Sequence, residues 1–239
     1  MSQTLPSSPS SEFDRADFKG LYKGGSLVES ASIRVVPWEI GRAQPAIHAI
    51  LEDAPRGRLL DVGCGLGHNA NAARDLGFDV VAIDSSKEAI ERCWTEFSGH
   101  GIEFLVADAC ETGLAPASAA GSGFDVILDS ALYHAIPAAD RARYLKEMRR
   151  LAGASTVMHV VTFSPSPHGM PMPLSIALSE IAVNAESAGW AIRAVGVVEY
   201  RGNAEAIADF QKKKNLKIRL DDEGMTRLPC WHVTLHPAP

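Results

Sequence analysis

Three glycines and two acids stand at a spacing that suits the binding of a nucleoside. The run Leu59 to Val62 is apolar apart from Asp61, and glycines follow at positions 63, 65 and 67. Glycine has no Cβ and reaches positive φ at little cost, so such a turn lets a ligand approach the backbone. The helix predicted over residues 68–76 adds free amide donors at its start. Asp84 follows about twenty positions on, where a carboxylate can accept from both ribose hydroxyls.

The glycine spacing differs from that of a dinucleotide-binding turn. A pyrophosphate-binding turn has the pattern GxGxxG, whereas this chain has GxGxG with His68 and Asn69 after it. The pattern therefore favours a nucleoside without a pyrophosphate. A nicotinamide-dependent oxidoreductase stays a rival interpretation.

Further side chains that could bind a ligand or transfer a proton follow two later apolar runs. Asp108 can accept from an exocyclic amine, and the backbone of Ala109 can meet the edge of an adenine. Asp129 follows the next run, and Tyr133 and His134 come shortly after it. His134 is the best candidate for a general base, with Tyr133 to orient it. The alternatives are solvated acids in loops and a structural histidine at the start of a helix.

These residues need a framework that brings the ends of several strands together. Seven apolar runs predict strands, and helical patterns lie between most of them: 58–62, 79–83, 103–106, 124–128, 156–162, 190–200 and 230–235. Ser85 to Glu88 is predicted to be a capping box, and a later helix is predicted over 174–188. The alternation predicts an α/β fold with a doubly wound, mostly parallel sheet and helices on both faces. A ligand then lies at the carboxyl ends of the first four strands.

The flanking segments have distinct compositions. Residues 1–12 are rich in Ser and Pro and are expected to be disordered, and residues 13–239 fit one domain. Residues 13–56 are expected to form a helical cap, because Phe13, Phe18 and Tyr22 stand at helical spacing. Trp38 lies in a proline-led turn and either walls a pocket or anchors the core. Residues 201–228 contain no motif that we can assign and are treated as a variable insertion.

The composition argues against several classes of binding partner. The formal net charge of −6 argues against a nucleic-acid or anionic-membrane partner. No run is long and apolar enough to span a bilayer, and no secretory signal is visible. The four cysteines show neither CxxC nor zinc spacing, which indicates a reduced, cytoplasmic protein without a metal site. The oligomeric state is left open.

The glycine run together with Asp84, Asp108 and Asp129 resembles the class I S-adenosylmethionine-dependent methyltransferases. The segments Pro37–Gly41 and Leu128–His134 resemble the branch of that family that acts on small molecules, such as thiol, thiopurine and bacterial toxin methyltransferases. The chain departs from the family at His68 and at Leu151–Ala154, where a Leu-Pro-Gly-Gly type of turn is usual. Those departures bear on the substrate rather than on the cofactor.

The resemblance implies a Rossmann-like, seven-stranded fold and S-adenosylmethionine as cofactor. It implies methyl transfer to a hydroxyl, thiol or ring nitrogen of a small aromatic molecule. A protein that binds the cofactor without transferring its methyl group is the alternative, and a nucleic-acid methyltransferase is disfavoured because no Asn/Asp-Pro-Pro motif follows Asp129. The cofactor residues that it implies are Trp38, Asp61, Gly63, Cys64, Gly65, Gly67, Asp84, Ser85, Asp108, Ala109 and Asp129. The catalytic candidates are His134, Tyr133 and Asp129.

Overall fold

The structure is a computed structural model that describes residues 36–119 and 123–239. The predicted disordered tail and the predicted helix around Phe13 to Tyr22 lie outside the described residues. Within the described part, no helix is both long and apolar enough to cross a membrane.

One twisted sheet forms the centre of the described chain. Its strands are β1 Arg58–Val62, β2 Asp79–Asp84, β3 Glu103–Val106, β4 Phe124–Ser130, β5 Ala152–Phe163, β6 Trp190–Gly202, β7 Arg219–Leu220 and β8 Thr226–Pro237. They run in the order β3-β2-β1-β4-β5-β8-β6, and the short strand β7 pairs with β8. Strands β1 to β5 are mutually parallel, whereas β8 runs antiparallel to β5, β6 and β7. The predicted fold class is confirmed, with β7 added to the seven predicted strands.

Helices cover both faces of this sheet, and each face has its own apolar core. Ile47, Ala73 and Ile90 pack on one face, and Leu145 and Ile181 pack on the other. The helices are α1 Pro45–Asp53, α2 His68–Asp75, α3 Lys87–Glu96, α4 Arg141–Leu151, α5 Leu178–Ser187 and α6 Ala208–Lys214. Short 3-10 turns cover Tyr133–Ala135, Ala138–Asp140 and Glu205–Ile207. This double covering is the doubly wound arrangement that the alternation predicts.

Several predicted boundaries shift. Ser86, not Ser85, caps α3, because the Ser86 Oγ accepts from the Ala89 amide at 3.2 Å. The helix predicted from residue 174 begins at Leu178, since the amides of Leu174 and Ser175 both turn back to the Pro171 carbonyl. β5 begins at Ala152, directly after α4, so the segment 151–154 turns straight from helix into strand.

The segment 36–44 is fixed against the far end of β6. The Asn203 amide donates to the Pro37 carbonyl at 2.8 Å, and a Cβ on Gly202 would lie 2.8 Å from that same oxygen. Gln44 accepts from the Arg201 amide at 3.0 Å and donates to the Arg201 carbonyl at 2.8 Å. Segments that are far apart in sequence are thereby held at one edge of the sheet.

A small ion cluster adds to this attachment. Glu223 pairs with both Arg42 and Arg201, and Asp221 lies 2.9 Å from the Arg201 guanidinium. Asp221 and Glu223 follow β7, so the connection between β6 and β8 is tied back to the segment 36–44. Residues 201–228, predicted to be an insertion, therefore contribute the end of β6, α6, β7 and the start of β8.

Candidate active site

A cavity of about 320 Å³ opens at the carboxyl ends of the parallel strands. The glycine turn after β1, the ends of β2 and β4, and the segment around Trp38 surround it. Of the predicted site residues, those that line it are Trp38, Gly63, Cys64, Gly65, Asp84, Ser85, Asp108, Ala109 and His134. Asp61, Gly67, Asp129 and Tyr133 are not among the residues that line it.

The glycine turn has the backbone conformation that its composition predicts. Gly63, Gly65 and Gly67 have φ values of 71°, 55° and 79°, a region that side chains with a Cβ rarely enter. A Cβ on Gly63 would lie 2.9 Å from the Leu132 side chain. A Cβ on Gly67 would lie 3.0 Å from Cys93 and from Phe104, in the core. Gly63 therefore keeps the cavity open, whereas Gly67 allows close packing behind it.

Acids from two strands complete this half of the cavity. Asp84 ends β2, accepts from the Gly65 amide at 3.0 Å and accepts from the Ser86 amide at 2.8 Å. It therefore couples the glycine turn to the start of α3. Asp108 is exposed after β3, where it accepts from the Cys110 amide at 2.8 Å. Both carboxylates line the cavity, where an acid can accept hydrogen bonds from a ligand.

Asp61 is fully buried beside this turn. Neither of its carboxylate oxygens has a hydrogen-bond partner within the described residues. Burial raises the pKa of Asp61 to about 7, and the charges of Asp84 and Asp129 add to the increase. The Ala70 amide, which is near but makes no hydrogen bond of ordinary geometry with Asp61, opposes the increase. A buried carboxylate that lacks a partner favours a cation nearby.

The side chains of Asp129 and Tyr133 lie away from the cavity. The Asp129 carboxylate accepts from the amides of Leu132 and Tyr133 at 2.9 and 3.1 Å and from the Tyr144 hydroxyl at 2.8 Å. Burial raises the pKa of Asp129 to about 6. The Tyr133 hydroxyl accepts from Asn184 at 2.9 Å, and burial raises its pKa to about 12. Both residues therefore fix the turn that carries His134 rather than facing a ligand.

His134 itself lines the cavity. Its ring stacks on Phe163 with 4.1 Å between the ring centres, and Nδ1 lies 3.2 Å from the Thr162 hydroxyl. Burial, followed by the charge of Arg141, lowers the pKa of His134 to about 3. The imidazole is therefore neutral at physiological pH and is a weak base.

Further polar residues line the cavity that the predicted site residues do not include. Glu39, next to Trp38, lies 3.2 Å from His68 at the start of α2, and this contact raises the pKa of His68. Asn69 donates to Ser130, whose hydroxyl lies 3.1 Å from the Tyr200 hydroxyl. The position of Asn69 in the first turn of the helix after the glycine turn is a usable signal for it. No local signal exists for Tyr200, because the fold brings it to the cavity from β6.

Comparisons with known proteins agree with this geometry. Residues 59–153 match the family described as a methyltransferase domain. A 2-heptyl-1-hydroxyquinolin-4(1H)-one methyltransferase from Mycobacteroides abscessus is 23% identical over 222 residues, which cover 92% of this chain and 96% of that protein.

Two solved structures share the fold. One, from work on the conversion of a disulfide bond into a thioacetal group during echinomycin biosynthesis, has a TM-score of 0.73 and 22% identity, and the match covers 92% of this chain and 91% of that one. The other is the 1,6-didemethyltoxoflavin-N1-methyltransferase of Burkholderia thailandensis, with bound 1,6-didemethyltoxoflavin and S-adenosylhomocysteine. Its TM-score is 0.54 at 17% identity, with 82% of this chain and 78% of that one covered.

Residues 59–153 match a methyltransferase domain, and together with the sheet order and the glycine turn this match supports an S-adenosylmethionine-dependent methyltransferase. The residues in and beside the cavity fit that cofactor. Asp61, beside the glycine turn, is a buried carboxylate without a hydrogen-bond partner among the described residues, and the Asp84 carboxylate lines the cavity at the end of β2. The first offers compensation for a positive charge and the second offers acceptors for a ribose.

Proposed function

We propose that this enzyme methylates a hydroxyl, thiol or ring nitrogen of a small aromatic molecule. The observation that carries the proposal is the stacked pair His134–Phe163 in the wall of the cavity, opposite the strands that hold the cofactor acids. Stacked rings and the indole of Trp38 suit a planar ligand. A hydroxyquinolinone is the substrate named for the curated relative, and a heterocycle is bound in one structural neighbour.

We propose the following roles around the cofactor. Asp61, with the turn from Gly63 to Gly67, holds the methionine part, and Cys64 contributes through its backbone. Asp84 and Ser85 bind the ribose, while Asp108 and the backbone of Ala109 bind the adenine. Trp38 walls the site, and Asp129 supports it through the turn that it caps. When bound, S-adenosylmethionine supplies an electrophilic methyl group, so the protein must chiefly align the acceptor atom.

His134 is proposed to act on the acceptor through Nε2. Its Nδ1 is engaged by Thr162, and Nε2 makes no hydrogen bond within the described residues. A thiol has a pKa of about 8.5 and is partly ionised at neutral pH, whereas a phenol near 10 is not. A base therefore matters more for a phenol. The low pKa of His134 restricts it to receiving a proton while the acceptor is being methylated, since a histidinium ion is unfavourable there.

The test combines binding with turnover. Calorimetric titration with S-adenosylhomocysteine and with NADH should give binding of the first alone. Transfer of a labelled methyl group to a panel of phenols, thiols and nitrogen heterocycles should then identify acceptors. Binding of S-adenosylhomocysteine without transfer to any acceptor would favour the alternative of a cofactor-binding protein without methyl transfer. Binding of NADH alone would contradict the methyltransferase assignment itself.

A small-molecule acceptor also fits the charge of the protein. The acidic composition offers little attraction to nucleic acid or to an anionic membrane. The four cysteines are free thiols, and three of them are buried, which supports the proposal of a reduced, cytoplasmic location.

A further inference from the structure

A chain of hydrogen bonds runs from the segment around Gln44 to the end of β6. The backbone amide of Gln44 donates to the Asn69 Oδ1 at 3.0 Å. Because an amide nitrogen cannot accept this bond, the contact fixes which end of the Asn69 side-chain amide is the oxygen and which is the nitrogen. That nitrogen donates to the Ser130 Oγ at 3.1 Å. The Ser130 Oγ lies 3.1 Å from the Tyr200 hydroxyl oxygen, and either oxygen can be the donor in this contact.

The hydrogen bonds that join Asn69, Ser130 and Tyr200 leave one hydroxyl hydrogen without an acceptor among these three residues. Ser130 and Tyr200 have one hydroxyl hydrogen each, and the contact between them uses one of the two. The Asn69 amide cannot accept the other, because it presents its nitrogen to Ser130. If Ser130 donates to Tyr200, the hydrogen of Tyr200 is spare; if Tyr200 donates, the hydrogen of Ser130 is spare. The pair therefore offers one donor in both arrangements.

The spare hydrogen belongs to the half of the cavity that the cofactor acids do not occupy. Asp84 and Asp108 follow β2 and β3, on one side of β1, whereas Ser130 and Tyr200 lie at the ends of β4 and β6, on the other side. Both hydroxyl residues line the cavity. Burial raises the pKa of Tyr200 far above its usual value, so its hydroxyl stays protonated and acts as a donor rather than a base.

Two aromatic side chains line the same part of the cavity as this pair. Phe163 is apolar and His134 is neutral, whereas the charges of Asp61 and Glu39 reach Tyr200 and raise its pKa further, which keeps its hydroxyl protonated. A donor in such surroundings selects strongly for ligands that can use it, since an unsatisfied polar group in a closed site is costly.

We propose that the Ser130–Tyr200 hydroxyl pair, oriented by Asn69, donates its spare hydrogen to a second polar atom of the methyl acceptor. The acceptor is then an aromatic compound that has, besides the atom that is methylated, an atom with a free lone pair such as a carbonyl oxygen. This inference rests on the proposed function and adds a chemical requirement to the substrate class.

The same count predicts an unusual pattern of mutational effects. Tyr200→Phe leaves the hydrogen of Ser130 available, and Ser130→Ala leaves that of Tyr200 available, so each single variant keeps one donor. The double variant has none. Asn69→Asp keeps both hydroxyls, but its carboxylate accepts from Ser130, and Tyr200 then donates to Ser130, so that the spare hydrogen is used up.

The experiment measures affinity for matched pairs of acceptors in the presence of S-adenosylhomocysteine. The probes are pairs of phenols, thiophenols and bicyclic heteroaromatics whose members differ only in a carbonyl or a methylene group, for example 3-acetylphenol and 3-ethylphenol. The wild-type protein should bind the carbonyl member about tenfold more tightly in at least one pair. Each single variant should lose less than about threefold of this preference, and the double variant and Asn69→Asp should lose all of it.

The controls separate this inference from the proposed function. Ser187→Ala removes a hydroxyl on α5 that bonds to the Asn184 carbonyl, and it should change nothing. Asn69→Asp keeps the test decisive if the double variant does not fold. A preference that survives in Asn69→Asp, or the lack of any preference in the wild type, overturns the inference. Loss of S-adenosylhomocysteine affinity in Asn69→Asp with an unchanged preference assigns the pair to the cofactor and also overturns it. Selective binding without methyl transfer to any probe contradicts the proposed function, whereas the role of the hydroxyl pair as a donor to a bound aromatic ligand is then still supported.

Discussion

The two halves of the cavity are built in different ways. Around β1 to β3, the cavity is lined by the glycine turn and by acids at strand ends, within about fifty residues of continuous sequence. Around β4 to β6, the walls are side chains that lie far apart in sequence, such as Trp38, His134 and Tyr200. The first half depends on backbone conformation, which the positions of glycine in the sequence predict. The second depends on tertiary packing. Changes in the first half should therefore abolish cofactor binding, and changes in the second should alter the choice of acceptor.

The largest effect is expected for Gly63→Ala. The new Cβ would meet the Leu132 side chain at 2.9 Å in a backbone with φ of 71°, so strain and steric overlap act together. Calorimetry should show that S-adenosylhomocysteine binding is weakened by at least about 100-fold. Gly77→Ala is the matched control, because Gly77 has a φ of 92° but no atom within 4 Å of its Cβ position. Equal losses of binding in both variants would show that the cavity contact at Gly63 is unimportant.

Asp61→Asn should weaken S-adenosylhomocysteine binding by about 30-fold while stabilising the unliganded protein at pH 8. Burial raises the folded-state pKa from 3.8 to about 7. Between these values the folded protein keeps a proton that the unfolded chain has lost, so stability falls as the pH rises through this window. The whole shift corresponds to about 4 kcal/mol.

The measurement for Asp61 is thermal unfolding of the unliganded protein between pH 4 and pH 8. The wild-type Tm should fall more steeply with rising pH than that of Asp61→Asn. Asp129 also has a raised pKa, near 6, but it is present in both proteins and cancels in the comparison. Parallel curves for the two proteins would mean that Asp61 has an ordinary pKa.

His134→Ala should lower kcat by about tenfold for a phenol and by less than about threefold for a thiol, because only the phenol needs help in losing its proton at neutral pH. Steady-state kinetics with labelled methyl transfer at pH 7 measures both. His100→Ala removes an exposed histidine and serves as the control. Equal, small losses for the two acceptors would reduce His134 to a structural residue.

The smallest effect is expected for Gln44→Ala. The Gln44 side chain donates to the carbonyls of Arg201 and Trp38 and accepts from the Arg201 backbone amide. Its loss therefore frees the segment that carries Trp38. KM for the acceptor should rise about fivefold, while S-adenosylhomocysteine affinity should change by less than about twofold, since Trp38 is only one of the residues proposed around the cofactor. Lys87→Ala, which breaks an exposed ion pair with Glu91 on α3, is the control and should leave both constants unchanged. A larger change in cofactor affinity than in KM would reverse the division between the two halves.

The contrast between the two halves of the cavity also explains which strands and site residues can be predicted from the sequence alone. Residues 58–62 and 103–106 were predicted as strands with the bounds that the structure gives, because short apolar runs between turn residues leave little choice. Asp84 and Asp108 were placed correctly at the cavity because their positions follow from strand ends. Asp129 follows the same rule, yet its carboxylate turns inward to cap the 3-10 turn and to accept from Tyr144. Sequence position fixes where the backbone of a residue lies, but not which neighbours its side chain finds.

The side-chain contacts in the half of the cavity around β4 to β6 could not be predicted from the sequence. Tyr200 reaches Ser130 across seventy positions of sequence, and Asn69 is oriented by the amide of Gln44. No local pattern encodes these contacts, since they depend on the order in which strands are laid side by side. The low pKa of His134 has the same origin, because burial and the nearby Arg141 come from packing.

The attachment of the segment 36–44 to the connection between β6 and β8 has a consequence for engineering. Pro37 is held by Asn203, and Arg42 is held by Glu223. The piece from Asn203 to Met225 leaves β6 at Gly202 and joins β8 at Thr226, and these two residues pair with each other in the β6–β8 ladder. The two ends of this piece are therefore already in register for an exchange between enzymes of this fold. Such an exchange would replace β7 and the groups that hold the segment 36–44, and with them the support of the cavity wall that carries Trp38.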